Sequence, residues 1–453
     1  MLTALGLGAQ EVRPNVVIFY TDDQGTLDVG CYGSDDLVTP NMDRLAREGV
    51  RFSQAYAHTV CTPSRAALLS GRHPQRSGMN NWPQGRRNGP PGRNLPLNEM
   101  TLAEVFQAAG YRTALFGKWH LGAHPDHGPL RHGFDEFFGI RGGFIDNYNH
   151  YDLHGAGGHD LYDGATEVFR RDRYFPDLIC DRALSFVEEQ REQPFFLLFS
   201  MNLPHYPEQP TAPYDDAYEG LEEPRRSYAR VVSTCDRYLG RLLSQLDRLR
   251  LTDRTVVLFT SDNGHSEEDL QIKHGDHLSG LPLGHDYGAH GGGGNTGAWI
   301  GAKGGFLEGG IRVPAILRYP AQLPSDVVRD QPVTIMDWYP TLLDLAGVER
   351  PRDVVLDGRS VLPLVEDAAV PGRHQLLHWQ WQRSWAVRQG RWKLIQHGFY
   401  GLGRPRLDPV MLVDLEEDRP ERTNYAATRP NVVRRLRAAH DRWAHAVFPR
   451  SPR

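Results

Sequence analysis

Short segments of this sequence place carboxylate and amide side chains where they could bind a cation. Asp22 and Asp23 follow the apolar run at residues 15–21, and Asp262 and Asn263 follow another apolar run. A lone aspartate pair would suit a solvated turn. Two such groups after separate runs instead offer hard oxygen ligands, which calcium and magnesium prefer. The sequence therefore predicts a divalent-cation site formed by Asp22, Asp23, Asp262 and Asn263.

Lysine is rare in this chain. Of 51 lysine and arginine residues, only Lys118, Lys273, Lys303 and Lys393 are lysines. A lysine that persists against this background can be required as lysine, because Lys can release a proton and Arg in effect cannot. Lys118 lies two residues before His120, and the surroundings of Lys118 and Lys303 favour a specific requirement for lysine at both positions. We expect Lys273 and Lys393 to be incidental.

A cysteine near a predicted helix start is a candidate nucleophile. Cys61 begins the segment CTPSR, which ends at Arg65, and Pro63 and Gly71 mark the first turn and the end of a helix. The N-terminus of a helix favours an anion. His205 follows another apolar run; a single histidine is more often structural, but this position favours a role in the site.

The elements that would position these residues alternate along the chain. We predict strands at residues 15–21, 52–57, 111–116, 195–201 and 255–260, and helices at 40–48, from 61, at 101–109, 177–190 and 225–250. Such alternation indicates an α/β fold with a large, mostly parallel sheet sandwiched by helices. Ligands bind at the carboxyl ends of such strands, so five distant segments should converge on one edge.

The C-terminal part of the sequence has a different pattern of predicted elements. Short strand-like pieces at residues 378–382, 385–388, 392–395 and 411–415 precede a helix at 430–447. We predict a catalytic domain at 10–365 and a smaller antiparallel α+β subdomain at 366–453. Residues 1–9 are similar to the end of a signal peptide, which predicts an exported, periplasmic or extracellular protein.

Composition excludes some classes of function. A net charge of -5 offers no chain-wide basic surface for nucleic acid. The longest apolar runs fall far below the roughly 18 residues that a membrane span needs. Cys31, Cys180 and Cys235 are too few for a disulfide scaffold and are expected to be free thiols.

Several motifs together resemble the sulfatase family. CTPSR, followed by AALLSGR, is similar to the signature in which the cysteine is oxidised to formylglycine. Further family-like segments occur in the family's order: PNVVIFYTDDQG, GYRTALFGKWHLG, NLPHYP, SDNG, GAKGGFLEGGIRVP, DGRSVLPL and AVRQGRWKLI. The resemblance implies an alkaline-phosphatase-like fold, a sulfuric ester hydrolase of the arylsulfatase type, and one Ca²⁺ ion in preference to Mg²⁺.

The resemblance also assigns a nucleophile. A formylglycine hydrate made from Cys61 would attack sulfur with one hydroxyl and release sulfate through the other, and Cys61 would also bind the metal. Asp262 would activate the attacking hydroxyl, and His120 would take the second proton. A formylglycine-generating enzyme or an equivalent maturase would be required as a partner.

The remaining roles concern the sulfate and the leaving group. By the same resemblance, Lys118 and Lys303 would hold sulfate oxygens, and Arg65 would hydrogen-bond the formylglycine. Lys303 and His205 would lie near the leaving oxygen as proton donors. An exported enzyme of this kind most often acts on a sulfated carbohydrate.

Other interpretations stay open at this point. One is a phosphodiesterase or phosphonate monoester hydrolase of the same superfamily; another is a non-catalytic glycan-binding protein, although no site position is damaged. The Gly- and His-rich residues 265–299 form either a surface loop or a lid. Glu308 and Arg312 could brace the sheet edge. Four aromatic residues could stack on sugars or pack in the core: Trp119, Tyr206, Tyr287 and Trp299.

Overall fold

The computed structural model describes residues 13–82, 92–209, 211, 214, 216–268, 271–286 and 291–448. The possible signal-peptide remnant at residues 1–9, together with Tyr287 and His290, lies outside the described residues. The strands are β1 Asn15–Asp22, β2 Val50–Phe52, β3 Ala55–Tyr56, β4 Arg112–Lys118, β5 Glu136–Ile140, β6 Tyr162–Asp163, β7 Thr166–Glu167, β8 Phe195–Pro204, β9 Thr255–Ser261, β10 Arg312–Val313, β11 Ala315–Arg318, β12 Val327–Arg329, β13 Val333–Thr334, β14 Leu377–Trp381, β15 Ser384–Gln389, β16 Trp392–Gln396 and β17 Val410–Asp414.

The helices alternate with these strands over the first two thirds of the chain. They are α1 Pro40–Arg47, α2 Cys61–Ser70, α3 Leu102–Ala108, α4 Phe175–Glu189, α5 Arg225–Arg248, α6 Glu308–Ile311, α7 Trp338–Leu345, α8 Leu362–Glu366 and α9 Pro430–Val447. Helix α3 begins with a capping box in which Thr101 and Glu104 bond each other's backbone N–H. The predicted helices are therefore present, with ends shifted by a few residues.

Ten strands form one large sheet in the order β12-β2-β11-β9-β1-β8-β4-β5-β6-β7. Strands β9, β1, β8, β4 and β5 are mutually parallel, whereas β11, β6 and β7 pair antiparallel with their neighbours. The predicted parallel sheet is confirmed at its centre, and its edges are mixed. The carboxyl ends of β1, β4, β8 and β9 consequently lie along one edge.

Both faces of the sheet are covered by apolar side chains. In β1, Val16 and Ile18 belong to the core on the side of α2, α3 and α7, whereas Val17 and Phe19 belong to the core on the side of α1, α4 and α5. All four side chains are fully buried. This continuous apolar run is typical of a central parallel strand that packs helices on both faces.

The strand predicted at residues 52–57 is two short strands. β2 joins the large sheet, and β3 joins a separate three-stranded sheet with β10 and β13. Between them, Ser53 N–H donates to the Arg329 carbonyl at 2.9 Å, and Gln54 Nε2 donates to the Asp330 carbonyl at 2.6 Å. The β-branched and aromatic pattern alone could not reveal that these residues pair with two different sheets.

The C-terminal residues form the predicted antiparallel sheet, in the order β14-β15-β16-β17. Trp379 and Ile395 on one side of it pack with Tyr56 and Phe306 of the larger unit, and α9 packs on the other side through Leu436. The domain boundary at residue 365 stays a prediction.

All four cysteines are free; Cys61, Cys180 and Cys235 are buried and Cys31 is partly buried. Among the residues described, no helix has the length and apolarity needed to cross a bilayer.

Candidate active site

The ten predicted site residues lie around one edge of the large sheet. Asp22 and Lys118 are the last residues of β1 and β4, and His205 and Asp262 directly follow β8 and β9. Asp23 and His120 have φ values of 64° and 55°, a left-handed conformation that is uncommon outside glycine. Non-glycine residues in this conformation cluster at functional sites. The convergence predicted from strand ends is therefore present.

Cys61 is the first residue of α2 and is 1% exposed. Its Sγ donates to Asp22 Oδ1 at 3.5 Å and lies 3.9 Å from Asp23 Oδ1. Burial, followed by the nearby charge of Asp262, raises the pKa of the Cys61 thiol well above its usual value. Because the thiolate is the reactive form, the encoded cysteine is a poor nucleophile here.

The carboxylate and amide oxygens at this edge, unlike the nearby thiol and imidazole, are ligands that suit a hard cation. One ligand atom each from Asp22, Asp23, Cys61 and His205 lie within 4.8 Å of one another. Asn263 Nδ2 donates to Asp23 Oδ1 at 2.6 Å, while Asn263 Oδ1 is buried without a hydrogen-bond partner among the described residues. A buried amide oxygen in that state, beside carboxylates, suits coordination by Ca²⁺ or Mg²⁺.

Arg65 lies one turn after Cys61 on α2 and anchors Asp262. Its Nε and Nη2 lie 3.0 and 2.9 Å from Asp262 Oδ2, and its Nη1 donates to Ser200 Oγ at 2.8 Å. Ser200 Oγ in turn donates to the Lys118 carbonyl at 2.7 Å. Sequence reasoning missed Ser200, which lies inside β8 and gives no local signal.

Lys118 and Lys303 pair with the two aspartates at the carboxyl end of β1. Lys118 Nζ lies 2.5 Å from Asp22 Oδ2, and Lys303 Nζ lies 2.9 Å from Asp23 Oδ2. Both lysine side chains are at most 3% exposed. Burial opposes the ionised form of Asp22, but Lys118 and Arg65 outweigh it and lower the pKa of Asp22.

We call Asp22, Asp23, Asp262, Arg65, Lys118 and Lys303 the cavity-side cluster. Glu268 adds a fourth carboxylate, since its Oε2 lies 2.7 Å from Lys303 Nζ. Four carboxylates therefore face three cationic side chains. A divalent cation would leave one excess positive charge, which matches one sulfate ester anion.

Burial lowers the pKa of both site histidines, His120 and His205, which favours their neutral forms. His205 Nδ1 lies 2.7 Å from the Tyr206 carbonyl and must donate to it, so Nε2 accepts the bond from Lys303 Nζ at 3.0 Å. Burial lowers the pKa of His205 to about 4. Burial and the charge of Lys118 lower the pKa of His120 well below its usual value, and His120 Nδ1 is buried without a hydrogen-bond partner in the part of the chain described.

A cavity of about 450 Å³ opens beside Cys61. Its wall includes His120, His205 and Lys303 together with Glu268, and further residues line it: Trp82, Arg141, Phe144, Asp152 and His154. Among the described residues, the Phe and Trp side chains at the cavity are Trp82 and Phe144, which the sequence did not single out.

Three of the four aromatic residues considered as sugar platforms are described, and none of these three lines this cavity. Trp119 and Tyr206 are buried at 1% and 3% exposure, and Trp119 packs in the main core. The guanidinium carbon of Arg312 lies 3.8 Å from the centroid of the Trp299 ring in a cation–π contact, and Trp299 lines another cavity. The packing alternative is therefore correct for Trp119 and Tyr206.

The loop after β9 contributes a carboxylate to the cavity, although its histidines were the more conspicuous residues. Among them, His265 and His277 are buried, and His277 Nε2 bonds the Asp152 carbonyl. Among the described residues of this loop, Glu268 lines the cavity. The acidic pair after SDNGHS was its only sequence signal.

A loop of the C-terminal sheet fixes the backbone around Lys303. Leu402 N–H donates to the Lys303 carbonyl at 2.7 Å, and Ala302 N–H donates to the Tyr400 carbonyl at 2.8 Å. Arg404 forms an ion pair with Glu267, the neighbour of Glu268. The segment 400–404, between β16 and β17, therefore holds both sides of the Lys303–Glu268 pair.

Lys393, expected to be incidental, is fully buried in a second ion-pair group. Its Nζ lies 2.8 Å from Glu308 Oε1 and 2.6 Å from Glu421 Oε1. Glu308 also accepts from Tyr56 at 2.7 Å and pairs with Arg312 at 3.1 Å. Glu308 and Arg312 thus brace the junction of the sheets, and the expectation for Lys393 was wrong, because strand alternation cannot show a buried charge. We call Glu308, Lys393 and Glu421 the interface cluster.

Two family models match the chain. The model described as Sulfatase matches residues 14–348, and the one described as N-sulphoglucosamine sulphohydrolase, C-terminal, matches residues 302–440.

Characterised proteins resemble the chain along most of its length. N-acetylgalactosamine-6-sulfatase of Canis lupus familiaris is 33% identical over 428 residues, covering 86% of this chain and 77% of that protein. Steryl-sulfatase of Homo sapiens is 32% identical over 440 residues, with 81% and 72% covered. The structure of Ps i-CgsB in complex with k-i-k-neocarrahexaose has a TM-score of 0.79 and 27% identity, and 95% of this chain and 93% of that one are covered.

Proposed function

This chain belongs to the sulfatase family and is a sulfuric ester hydrolase, and we propose that it desulfates a carbohydrate through a formylglycine at residue 61 and a bound Ca²⁺ ion. The observation that carries the proposal is the cavity-side cluster, in which buried carboxylates and lysines surround the residue 61 side chain. Charge balance there fits one divalent cation and one sulfate ester.

A formylglycine at residue 61 is supported by the state of the encoded thiol. Burial keeps Cys61 protonated, whereas an aldehyde hydrate supplies a hydroxyl nucleophile that needs no thiolate. The N-terminus of α2 stabilises negative charge at the same position.

Ca²⁺ binding would use Asp22, Asp23, Asp262 and Asn263 together with modified residue 61. The unpartnered Asn263 Oδ1 and the preference of calcium for oxygen ligands support this set. When bound, the cation would stabilise charge on the sulfate oxygens as a Lewis acid.

Side chains of the protein would bind the sulfate and transfer the protons. Lys118 and Lys303 would hold sulfate oxygens by charge-assisted hydrogen bonds. Asp262, held by Arg65, would act as base toward the attacking hydroxyl. His120, neutral and with a free ring nitrogen among the described residues, would take the second proton.

Lys303 is the better proton donor to the leaving oxygen. His205 Nε2 accepts a hydrogen bond from Lys303 Nζ, so the imidazole has no proton on the cavity side. We infer that His205 orients Lys303 and that the Lys303 ammonium protonates the leaving group after exchanging one of its three protein acceptors for the leaving oxygen.

A carbohydrate substrate is favoured by the polar wall of the cavity. Arg141, Asp152, His154 and Glu268 suit a hydroxyl-rich leaving group better than a sterol. Among the similar proteins, one is named for a sulfated sugar and another is bound to an oligosaccharide.

We also propose export of the protein and modification of Cys61 by a formylglycine-generating maturase.

The proposal can be tested with protein coexpressed with such a maturase. Mass spectrometry of the Cys61 peptide should show formylglycine, and a panel of sulfated sugars should include substrates. Chelation should abolish turnover, and Ca²⁺ should restore it better than Mg²⁺. An aryl phosphate diester is the control substrate; turnover of it above that of every sulfate ester would overturn the proposed chemistry.

A further inference from the structure

Glu268 has a carboxylate whose two oxygens have different surroundings. Oε2 pairs with Lys303 Nζ at 2.7 Å and accepts from Ser266 Oγ at 3.0 Å. Oε1 has no hydrogen bond within the described residues, and the side chain is 21% exposed in the cavity wall. One oxygen is therefore committed to the protein and the other is available to a ligand.

Glu268 is linked to the reacting residue by a short series of contacts. Cys61 Sγ lies 3.9 Å from Asp23 Oδ1, and Asp23 Oδ2 lies 2.9 Å from Lys303 Nζ, which in turn contacts Glu268. Since Lys303 faces the leaving oxygen in the proposed function, Glu268 lies on the leaving-group side of the sulfate.

The loop presents Glu268 in a fixed conformation. Glu268 N–H donates to Ser266 Oγ at 3.1 Å, and Lys303 N–H donates to the His265 carbonyl at 2.9 Å. Glu267 next to it is tied to Arg404 by an ion pair. A preorganised acceptor loses little conformational entropy on binding a ligand.

A carboxylate beside the leaving group of an anionic ester must repel further negative charge. It is favourable only if the substrate offers a hydrogen-bond donor at that place. The cavity would therefore select a substrate by the group next to its sulfate.

We propose that Glu268 determines specificity by accepting, through Oε1, a hydrogen bond from a hydroxyl on the carbon adjacent to the sulfate ester. This inference rests on the proposed function and narrows its substrate class to sulfate esters with a free vicinal hydroxyl. A second anionic group at that position is disfavoured.

Two small probes isolate this contact. Phenyl sulfate and 2-hydroxyphenyl sulfate differ only by a vicinal hydroxyl, and released sulfate reports kcat/KM for both. The difference in leaving-group chemistry cancels when the ratio of the two values is compared between wild type and variants. In Glu268→Ala, the ratio in favour of 2-hydroxyphenyl sulfate should fall about ten-fold, the scale of a hydrogen bond to a charged acceptor.

The controls separate a substrate contact from support of Lys303. Asp276→Ala removes an exposed carboxylate of the same loop that does not line the cavity, and it should leave the ratio unchanged. If Glu268→Ala does not fold, Glu268→Met keeps the side-chain length without an acceptor and should lower the ratio similarly. An equal loss on both probes, with an unchanged ratio, would overturn the proposal.

Failure of the two proposals can be distinguished. If the wild type hydrolyses the aryl probes but no sulfated sugar, the carbohydrate assignment fails, and the probe ratio still tests Glu268. If sulfated sugars are hydrolysed but the ratio is the same in all variants, only the role of Glu268 fails.

Discussion

The cavity-side cluster and the interface cluster both bury a lysine between carboxylates, but they differ in what is left unpaired. Lys393 and Glu308 find all their partners inside the protein. Around Lys303, Asn263 Oδ1 and His120 Nδ1 have no hydrogen-bond partner among the described residues. Glu308 also lines a cavity, so these unpartnered atoms, and not the presence of a cavity, distinguish the two clusters. Similar ion pairs thus join two sheets in the interface cluster, whereas in the cavity-side cluster they leave polar atoms that a ligand can bind.

The comparison predicts that variants of the two clusters separate activity from stability. The cavity-side cluster should affect turnover more than folding, and the interface cluster should do the reverse. Four variants test this contrast, and they are ordered by the size of the expected effect.

Cys61→Ser should give the largest effect. A serine at this position lacks the second hydroxyl of the aldehyde hydrate, so we expect sulfate ester turnover to fall by at least about 10⁴-fold, as when other catalytic nucleophiles are removed. Because Cys61 has few polar contacts, the thermal midpoint should change little. Turnover near the wild-type level would show that residue 61 is not the nucleophile.

Lys393→Met should destabilise the protein by about 3–5 kcal/mol, because it removes the buried ammonium that pairs with both Glu308 and Glu421. Chemical denaturation monitored by circular dichroism measures this change. The kcat of the folded fraction should stay within about two-fold of wild type. A large loss of kcat with unchanged stability would contradict the division between the clusters.

Lys303→Ala should lower kcat/KM by about 10²- to 10³-fold, the cost of removing one stabilising donor from a developing charge. The matched control is Lys273→Ala, since Lys273 is an exposed lysine. Steady-state assays of both variants with an aryl sulfate provide the test, and similar values for the two would exclude a role for Lys303.

Glu421→Gln should change how stability depends on pH. Burial, only partly offset by Lys393, raises the pKa of Glu421 to about 7. Between the usual pKa of about 4.3 and this value, the folded state keeps a proton that the unfolded state loses. The Glu421 contribution to stability therefore falls as pH rises through this window.

Glutamine does not titrate, so the variant lacks this loss of stability. The thermal midpoint of the variant minus that of the wild type should therefore increase from pH 4.5 to pH 7.5. Midpoints measured across that range check the sign. Parallel curves for the two proteins would mean that Glu421 does not titrate differently on folding.

The sequence predicted much of the fold and most of the site, for a physical reason. Strand ends in a parallel sheet share one edge, so Asp22, Lys118, His205 and Asp262 could be brought together without knowing any side-chain contact. The sulfatase resemblance of CTPSR then assigned roles around Cys61.

What the sequence could not predict depends on long-range packing. Ser200 reaches Arg65 from inside a buried strand, and Glu268 reaches Lys303 from a loop. Lys393 becomes a buried ion-pair partner only because two sheets meet there. These contacts join residues from 35 to 135 positions apart, and neither periodicity nor local motifs encode such distances.

The segment 400–404 has a consequence for the order of events during synthesis. The ribosome completes β1 to β9, the cation ligands and Lys303 itself long before it reaches Leu402, whose N–H fixes the Lys303 carbonyl. A nascent or truncated chain ending before Tyr400 would have every proposed reacting group and still lack the bonds that position one of them. Full activity should therefore be among the last properties that the growing chain acquires.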